Sequence, residues 1–432
     1  MNELFAKLPR FSKIEALTFP CGDGVYEQVY AKVAEKDAFA YLQTLIEAGF
    51  SIRSDCVWDE NRYAVLVRDT LTVRVNYTKG NTALRLIVSE REPFYTDPTP
   101  DLPAVATPSV TVMALDCESA DGFVKDLAGW GSSFLFRLSD GRLIVLDGGQ
   151  ENAEDAEALV ARMERLGGKK PTVAAWILSH PHGDHYGNLR YFLADENAAL
   201  WDRIGRLEAF FCNLPDSGVV ISTPTMEQGT VEYVRPYLLP LIERKARAKY
   251  QGFQMIKLHT GDALHIGDAK LEVLYCQEDL FPESLVKANN LSVCFKLTLG
   301  GKVLLFPSDM ETAAANALTR TYRDCLRADY VQMTHHGWNP QTKADLGATV
   351  AIYKRAAAKY AFLTIDMRQL KTDDRTLCEP DHPHLFRTVV KSREDYKWIT
   401  DPVNGIEKLF STEDGTYTIA LLEGSYTLEK RS

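Results

Sequence analysis

The chain has 432 residues, 45% hydrophobic and 25% charged, with a net charge of −10 at pH 7. This is the composition of an ordinary globular protein. Its acidity argues against general nucleic-acid binding, which draws its affinity from neutralised phosphates. The length favours two or three domains. No apolar run approaches the ~20 residues that a bilayer-crossing helix needs, and the N-terminus lacks the apolar centre of a signal peptide. The 8 cysteines are dispersed without a Cys-x-x-Cys, which suits reduced thiols and a cytoplasmic location.

Residues 36–48 read as an amphipathic helix, with Phe39, Leu42, Leu45 and Ile46 on one face and Gly49 as its stop. Residues 63–67, 71–77 and 83–89 have strand character, with turns at Asp69-Thr70 and Lys79-Gly80-Asn81. Residues 1–92 are therefore expected to form a small α+β domain ending in a three-stranded antiparallel meander. It holds no evident chemistry, which leaves docking or homo-oligomerisation as its reading. Pro93, Pro98, Pro100, Pro103 and Pro108 stiffen residues 93–109 into a linker. The main domain is then 110–432. In it, the apolar run Leu143 to Leu146 precedes Asp147-Gly148-Gly149. Residues 151–166 form an acid-led helix stopped by Gly167-Gly168, and 172–178 a buried strand.

Residues 179–187, Ser-His-Pro-His-Gly-Asp-His-Tyr-Gly, place His180, His182, Asp184 and His185 within six residues. Imidazole and carboxylate together suit zinc, iron or manganese. Pro181 disfavours helix, so His180 and His182 project the same way and can grip one ion. Gly183 permits a bend that turns Asp184 and His185 toward a second ion. The strand before the motif ends where open α/β sheets carry their sites.

This HxHxDH pattern resembles the metallo-β-lactamase superfamily, and further segments occur in that family's order. Asp147-Gly148-Gly149 is similar to its early turn. Leu304 to Asp309 is similar to the strand delivering a metal-bridging Asp, and Thr334-His335-His336-Gly337 to its last ligand segment. The resemblance implies an α/β fold, an αβ/βα four-layer sandwich, with one or two divalent ions, zinc first, manganese or iron as alternatives. It implies metal ligands His180, His182, Asp184, His185, bridging Asp309 and His335, with His336 as the alternative to His335. Asp184 would also be the catalytic group that orients water and shuttles its proton.

Asn289-Asn290-Leu291-Ser292-Val293, the double His followed by Gly337, the late His382-Pro383-His384 and a closing hairpin over 410–420 resemble the ComEC-like branch. That branch includes DNA-uptake hydrolase domains and phosphorylcholine esterases. Two features depart from the pattern. No His lies between the first motif and Asp309 where many relatives carry one; Asn289 and Asn290 stand there. Residues 114–122 are an altered version of the branch's Gly-Gln-Gly-Asp segment. Asn289, Asn290, Ser292, His336, His382 and His384 are the candidates for substrate contact or for supporting a ligand.

The resemblance implies a hydrolase that uses a metal-bound hydroxide on phosphodiester or related phosphoester substrates, small molecules or nucleotides. The alternatives are hydrolysis of a lactone, thioester or β-lactam, and a metal-dependent binding module without turnover. His259 and His265 are expected to be structural or exposed. Residues 188–207 are expected to form one helix or two short ones, and 231–250 a helix with a late start or kink at Pro236 and Pro240. The basic run Glu243 to Lys249 reads as a solvated helix face or, alternatively, an anion contact.

Overall fold

The computed structural model of the protein describes residues 3–12, 16–90, 103–115, 131–215, 233–281, 287–337, 347–365 and 394–430. His382 and His384, residues 116–122 and most of the Pro-rich segment lie outside the described residues.

The first 90 residues contain strands β1 (Leu17–Gly22), β2 (Val25–Tyr30), β3 (Ser51–Trp58), β4 (Asn61–Arg68), β5 (Leu71–Thr78) and β6 (Ala83–Ser89). They form one antiparallel sheet in the order β1-β2-β6-β5-β4-β3. The expected meander is β4 to β6, and the sheet extends beyond it on both sides. Sequence patterning hid the added strands: β1 carries Pro20 beside a bulge, and β3 is a polar, bulged edge. The Glu35–Glu47 helix covers one face, packing Tyr41, Leu42 and Leu45 against Leu66, Val73 and Leu86. Gly49 ends it at φ +89°, where Phe50 N–H reaches Leu45 O at 3.1 Å.

The other face of this sheet is buried too. Cys21, Val25, Trp58, Tyr63 and Ile87 share a core with Phe281, Leu318 and Tyr322 of the main body. Every residue of β5 is therefore buried, polar ones included. Arg74 meets Asp262 at 2.9 Å and Asn76 donates to Thr260 O at 2.8 Å. Arg85 pairs with Glu27 and also donates to the carbonyls of Glu278, Asp279 and Phe281 at 2.9 to 3.1 Å. These contacts satisfy groups that burial would otherwise leave costly.

The main body has two sheets. One contains β7 (Ser109–Val112), β8 (Phe134–Arg137), β9 (Leu143–Leu146), β10 (Thr172–Ile177), β11 (Arg206–Leu207), β12 (Ala209–Cys212), β13 (Gln254–Lys257), β21 (Gly415–Ala420) and β22 (Tyr426–Lys430). Its order is β13-β12-β10-β9-β8-β7-β21-β22, with β11 also beside β10. The other runs in sequence order through β14 (Ala263–Ile266), β15 (Ala269–Tyr275), β16 (Cys294–Leu299), β17 (Lys302–Phe306), β18 (Tyr330–Gln332), β19 (Tyr360–Leu363) and β20 (Lys408–Ser411).

The inner faces meet through Phe134, Phe136, Phe295, Phe306 and Phe362. Helices Ala153–Gly167, Gly183–Leu193 and Leu239–Lys249 cover the first sheet, and Thr312–Thr321, Ala348–Ala356 and Glu394–Thr400 the second. The result is the expected αβ/βα sandwich. Strands β9, β10, β12 and β13 are mutually parallel, as are β17 to β20, so the loops after β9, β10, β17 and β18 carry the candidate residues at one edge.

One expectation changes in detail. Residues 410–420 do not form a hairpin: β20 pairs with β19 and β21 with β7, so the chain crosses between sheets there, and the closing hairpin is β21–β22. Residues 188–207 take the two-helix form, the first helix ending at Leu193 and a short one spanning Ala198–Trp201, before β11 begins at Arg206. Residues 233–250 run as a π-helical turn over Val234–Leu238 into the Leu239–Lys249 helix, as expected where Pro240 supplies no N–H.

Candidate metal centre

Four loops build the site, and three of them hold non-glycine residues in left-handed backbone: Asp147 at φ +58°, Ser308 at +52°, His335 at +46° and His336 at +50°. Such conformations cost about 1–3 kcal/mol each and persist only where surroundings impose them. After β18, Thr334 supplies the constraint. Its hydroxyl lies 2.8 Å from Tyr353 Oη and 3.1 Å from Asp395 Oδ2.

After β10 the chain extends through Ser179 to His182 and enters a helix at Gly183. Asp184 and His185 thus sit in the first helical turn rather than in a free bend. The Asp gains from the helix N-terminus. The helix lies directly on the turn after Asp147: a Cβ at Gly187 would come 2.1 Å from Glu151 N. Only glycine fits that approach.

The loops bring His180, His182, Asp184, His185, Asp309 and His336 together. One ligand atom each from Asp184, His185, Asp309 and His336 all lie within 4.8 Å of one another. Asp309 Oδ2 is 3.2 Å from His185 Nε2 and 3.3 Å from His336 Nε2, and Asp184 Oδ2 is 3.1 Å from His336 Nε2. Beside this group, His180 Nε2 lies 3.1 Å from His182 Nδ1 and 3.8 Å from Asp309 Oδ2.

Hydrogen bonds set the histidine tautomers. His336 Nδ1 is 2.7 Å from Thr364 O, a carbonyl that can only accept, so Nδ1 carries a proton and Nε2 is the nitrogen turned inward. His185 Nδ1 is 2.7 Å from Asp147 Oδ2, with the same outcome. His180 Nδ1 faces the hydroxyls of Ser179 at 3.1 Å and Ser308 at 3.4 Å. Ser179 donates to Asp147 at 2.8 Å and accepts from Ser308 at 2.8 Å. One buried carboxylate thus steadies His185 directly and His180 through two serines.

Electrostatics push these groups apart. Burial lowers His185, but Asp309, Asp147 and Asp184 outweigh it and hold the imidazole well above its ordinary value. Burial likewise opposes protonation of His336, yet Asp309 and Asp184 raise it to about 10. Asp309, although buried, is held well below the carboxylate range by His185, His336 and His180. Burial drives His180 well down, and His335 down to about 4. Asp309 Oδ1 is buried with no hydrogen-bond partner among the described residues. Converging imidazole nitrogens, which a cation would deprotonate, and an orphaned carboxylate oxygen are the donor set of a divalent cation.

The remaining candidates fall elsewhere. His335 lies outside the four-atom group that contains His336; its Nε2 is 3.3 Å from Asn289 Nδ2. Ser292 Oγ accepts from Asp309 N at 3.1 Å and braces the loop that carries Asp309, while Asn290 Oδ1 accepts from Ala314 N at 3.2 Å in the helix that follows. His259 is buried against Glu278 at 3.2 Å, and His265 lies on β14. In the basic run, Arg247 pairs with Glu243, Lys245 with Asp195 and Lys249 with Asp202. Sequence reasoning missed Asp147, Ser179, Ser308 and Thr364 as supporting groups. A polar residue just past the end of a buried strand was the available signal for all four.

Residues 129–208 match the family model described as Metallo-beta-lactamase superfamily. No curated protein matches the chain. Among solved structures, the chain is similar to the metallo-β-lactamase fold protein YhfI from Bacillus subtilis, at 15% identity, with 70% of this chain and 95% of that one covered and a TM-score of 0.35. It is also similar to Zn(2+)-bound PqqB from Methylobacterium extorquens, at 10% identity, 71% and 99% coverage and a TM-score of 0.36. A third is Tm1679, a metal-dependent hydrolase of the β-lactamase superfamily, at 10% identity, 75% and 100% coverage and a TM-score of 0.36. The two-sheet sandwich described above, with the family match over residues 129–208, is the metallo-β-lactamase fold. Among the described residues, no helix is long and apolar enough to cross a membrane.

Proposed function

We propose that this chain, built on the metallo-β-lactamase fold, is a metal-dependent hydrolase of phosphodiesters or related phosphoesters. The observation that carries the reading is the convergence of Asp184, His185, Asp309 and His336 ligand atoms within 4.8 Å, with His180 and His182 alongside. His180, His182 and Asp309 would hold one ion, and Asp184, His185, His336 and Asp309 a second, with Asp309 shared. Imidazole-rich sets of this kind favour zinc. The bound ions would supply Lewis acidity, acidifying a water and drawing charge from the substrate oxygen.

The chain's own residues do the rest. Asp147, Ser179, Ser308 and Thr364 O fix which ring nitrogen His180, His185 and His336 present. Asp184 keeps 17% of its side chain exposed while Asp309 keeps 1%, so Asp184 is the carboxylate able to orient a water and take its proton. The preference for phosphoesters rests on the ComEC-like segments around Asn289 and His335, hence on analogy.

Chelation followed by metal return tests the reading. The metal-free protein is expected to lose hydrolysis of bis(p-nitrophenyl) phosphate and to regain it with zinc or manganese. Turnover of a lactone, thioester or β-lactam with none of the phosphodiester would replace the substrate assignment. Retained metal with no turnover across the panel would leave a binding module.

A further inference from the structure

Beside the ligand cluster stands a chain of polar side chains that the ligand set does not use. Lys287 Nζ lies 2.7 Å from Glu311 Oε2. Glu311 Oε1 lies 2.9 Å from Asn289 Nδ2. A carboxylate only accepts, so this contact fixes the orientation of the Asn289 amide. The same amide nitrogen is 3.3 Å from His335 Nε2 and donates its other hydrogen there. His335 Nε2 is then an acceptor, and the ring carries its proton on Nδ1.

This arrangement leaves two loose ends. His335 Nδ1 and Asn289 Oδ1 are both buried atoms with no hydrogen-bond partner among the described residues. One is a donor and the other an acceptor. Folded proteins rarely leave such groups unmet. The position of the ring is imposed, since His335 has left-handed backbone and its N–H is tied to Ser308 O at 3.2 Å. Its ring centroid is 6.3 Å from that of His336. A donor and an acceptor are therefore held, oriented and unsatisfied, next to the place where the ions would sit.

We propose that His335 and Asn289 form a substrate-recognition pair, His335 Nδ1–H donating to a phosphoryl oxygen and Asn289 Oδ1 accepting from a hydroxyl or N–H on the esterified group. The inference rests on the phosphoester reading and narrows it to phosphodiesters whose alcohol portion carries a hydrogen-bond donor. It also makes His335 a substrate contact rather than a metal ligand.

Two substitutions tolerate the left-handed backbone and separate the roles. His335→Gly removes the donor, while His335→Asn places an amide N–H where Nδ1 stands. In the zinc-loaded protein, titrated with inorganic phosphate by calorimetry, the glycine variant is expected to bind about tenfold more weakly, the scale of a hydrogen bond to a charged group. The asparagine variant is expected to stay within about threefold of wild type. Zinc content is expected to be unchanged in both. Lost zinc in the glycine variant, unchanged phosphate affinity, or no phosphate binding by the wild type would each overturn the proposal.

For the second contact, kcat/KM for thymidine 5′-(p-nitrophenyl phosphate) is compared with that for bis(p-nitrophenyl) phosphate, which lacks a donor. In Asn289→Ala the ratio of the two is expected to fall about fivefold or more, and an unchanged ratio would remove Asn289 from the pair. A wild type that hydrolyses neither ester refutes the phosphoester reading, and the phosphate titration still decides the His335 contact.

Discussion

Two regions of this molecule bury carboxylates, and they neutralise them with different cations. Where the N-terminal sheet meets the main body, Glu27 and Asp262 pair with the guanidinium groups of Arg85 and Arg74. At the sheet edge, Asp184 and Asp309 pair with the imidazoles of His185 and His336. A guanidinium keeps its proton and offers no lone pair, so it can only hold a structure together. An imidazole can lose its proton and give the lone pair to an ion. The same buried negative charge is thus structural in one place and available for chemistry in the other.

The contrast breaks most sharply at Arg85. Arg85→Ala would strand buried Glu27 and three carbonyls and is expected to cost about 3–5 kcal/mol in urea denaturation. Zinc content per folded chain should stay at the wild-type value. A loss below about 1 kcal/mol would mean that the interface does not rely on this pair.

Asp147→Asn acts on the other region. It keeps the shape but weakens the grip on His185, and zinc affinity by competition with a chelator is expected to fall about 10- to 100-fold. Global stability should change far less than in Arg85→Ala. Wild-type zinc affinity would show that Asp147 only shapes the turn.

Acidity sharpens the comparison further. In the metal-free protein His336 is raised from 6.5 to about 10 on folding. Its stabilising contribution is complete below pH 6.5 and disappears as pH rises through about 10. Asp309 is depressed by burial-opposed pairing with His185 and His336, so its contribution fades only in strong acid. The melting temperature of the metal-free protein should therefore fall between neutral pH and pH 10, while the increment given by added zinc should grow. A flat metal-free profile would contradict the buried ion pairs. The smallest effect belongs to the basic helix: Lys245→Ala should leave activity and melting temperature unchanged, and a marked loss of phosphoester turnover would revive an anion contact there.

Legibility in the sequence tracked locality. The helix after Lys36 and the strand before the motif could be read because periodicity and stop signals lie within a few residues of each other. His180 to His185 could be read because six residues held four potential ligands. The partner of Arg85 could not, since Glu278 lies 193 residues away and nothing local marks it. Choosing His336 over His335 for the cluster required the two left-handed residues and the Thr364 carbonyl, a backbone geometry invisible in a pair of identical letters. The crossing from β20 to β21 was missed because strand patterning gives no information on which sheet a strand joins.

The most direct test is zinc per chain by elemental analysis after reconstitution, in the wild type and in Asp309→Ala. The shared carboxylate predicts about two ions in the first and about one or fewer in the second. No zinc in the wild type, or equal zinc in both proteins, would contradict a centre built around Asp309.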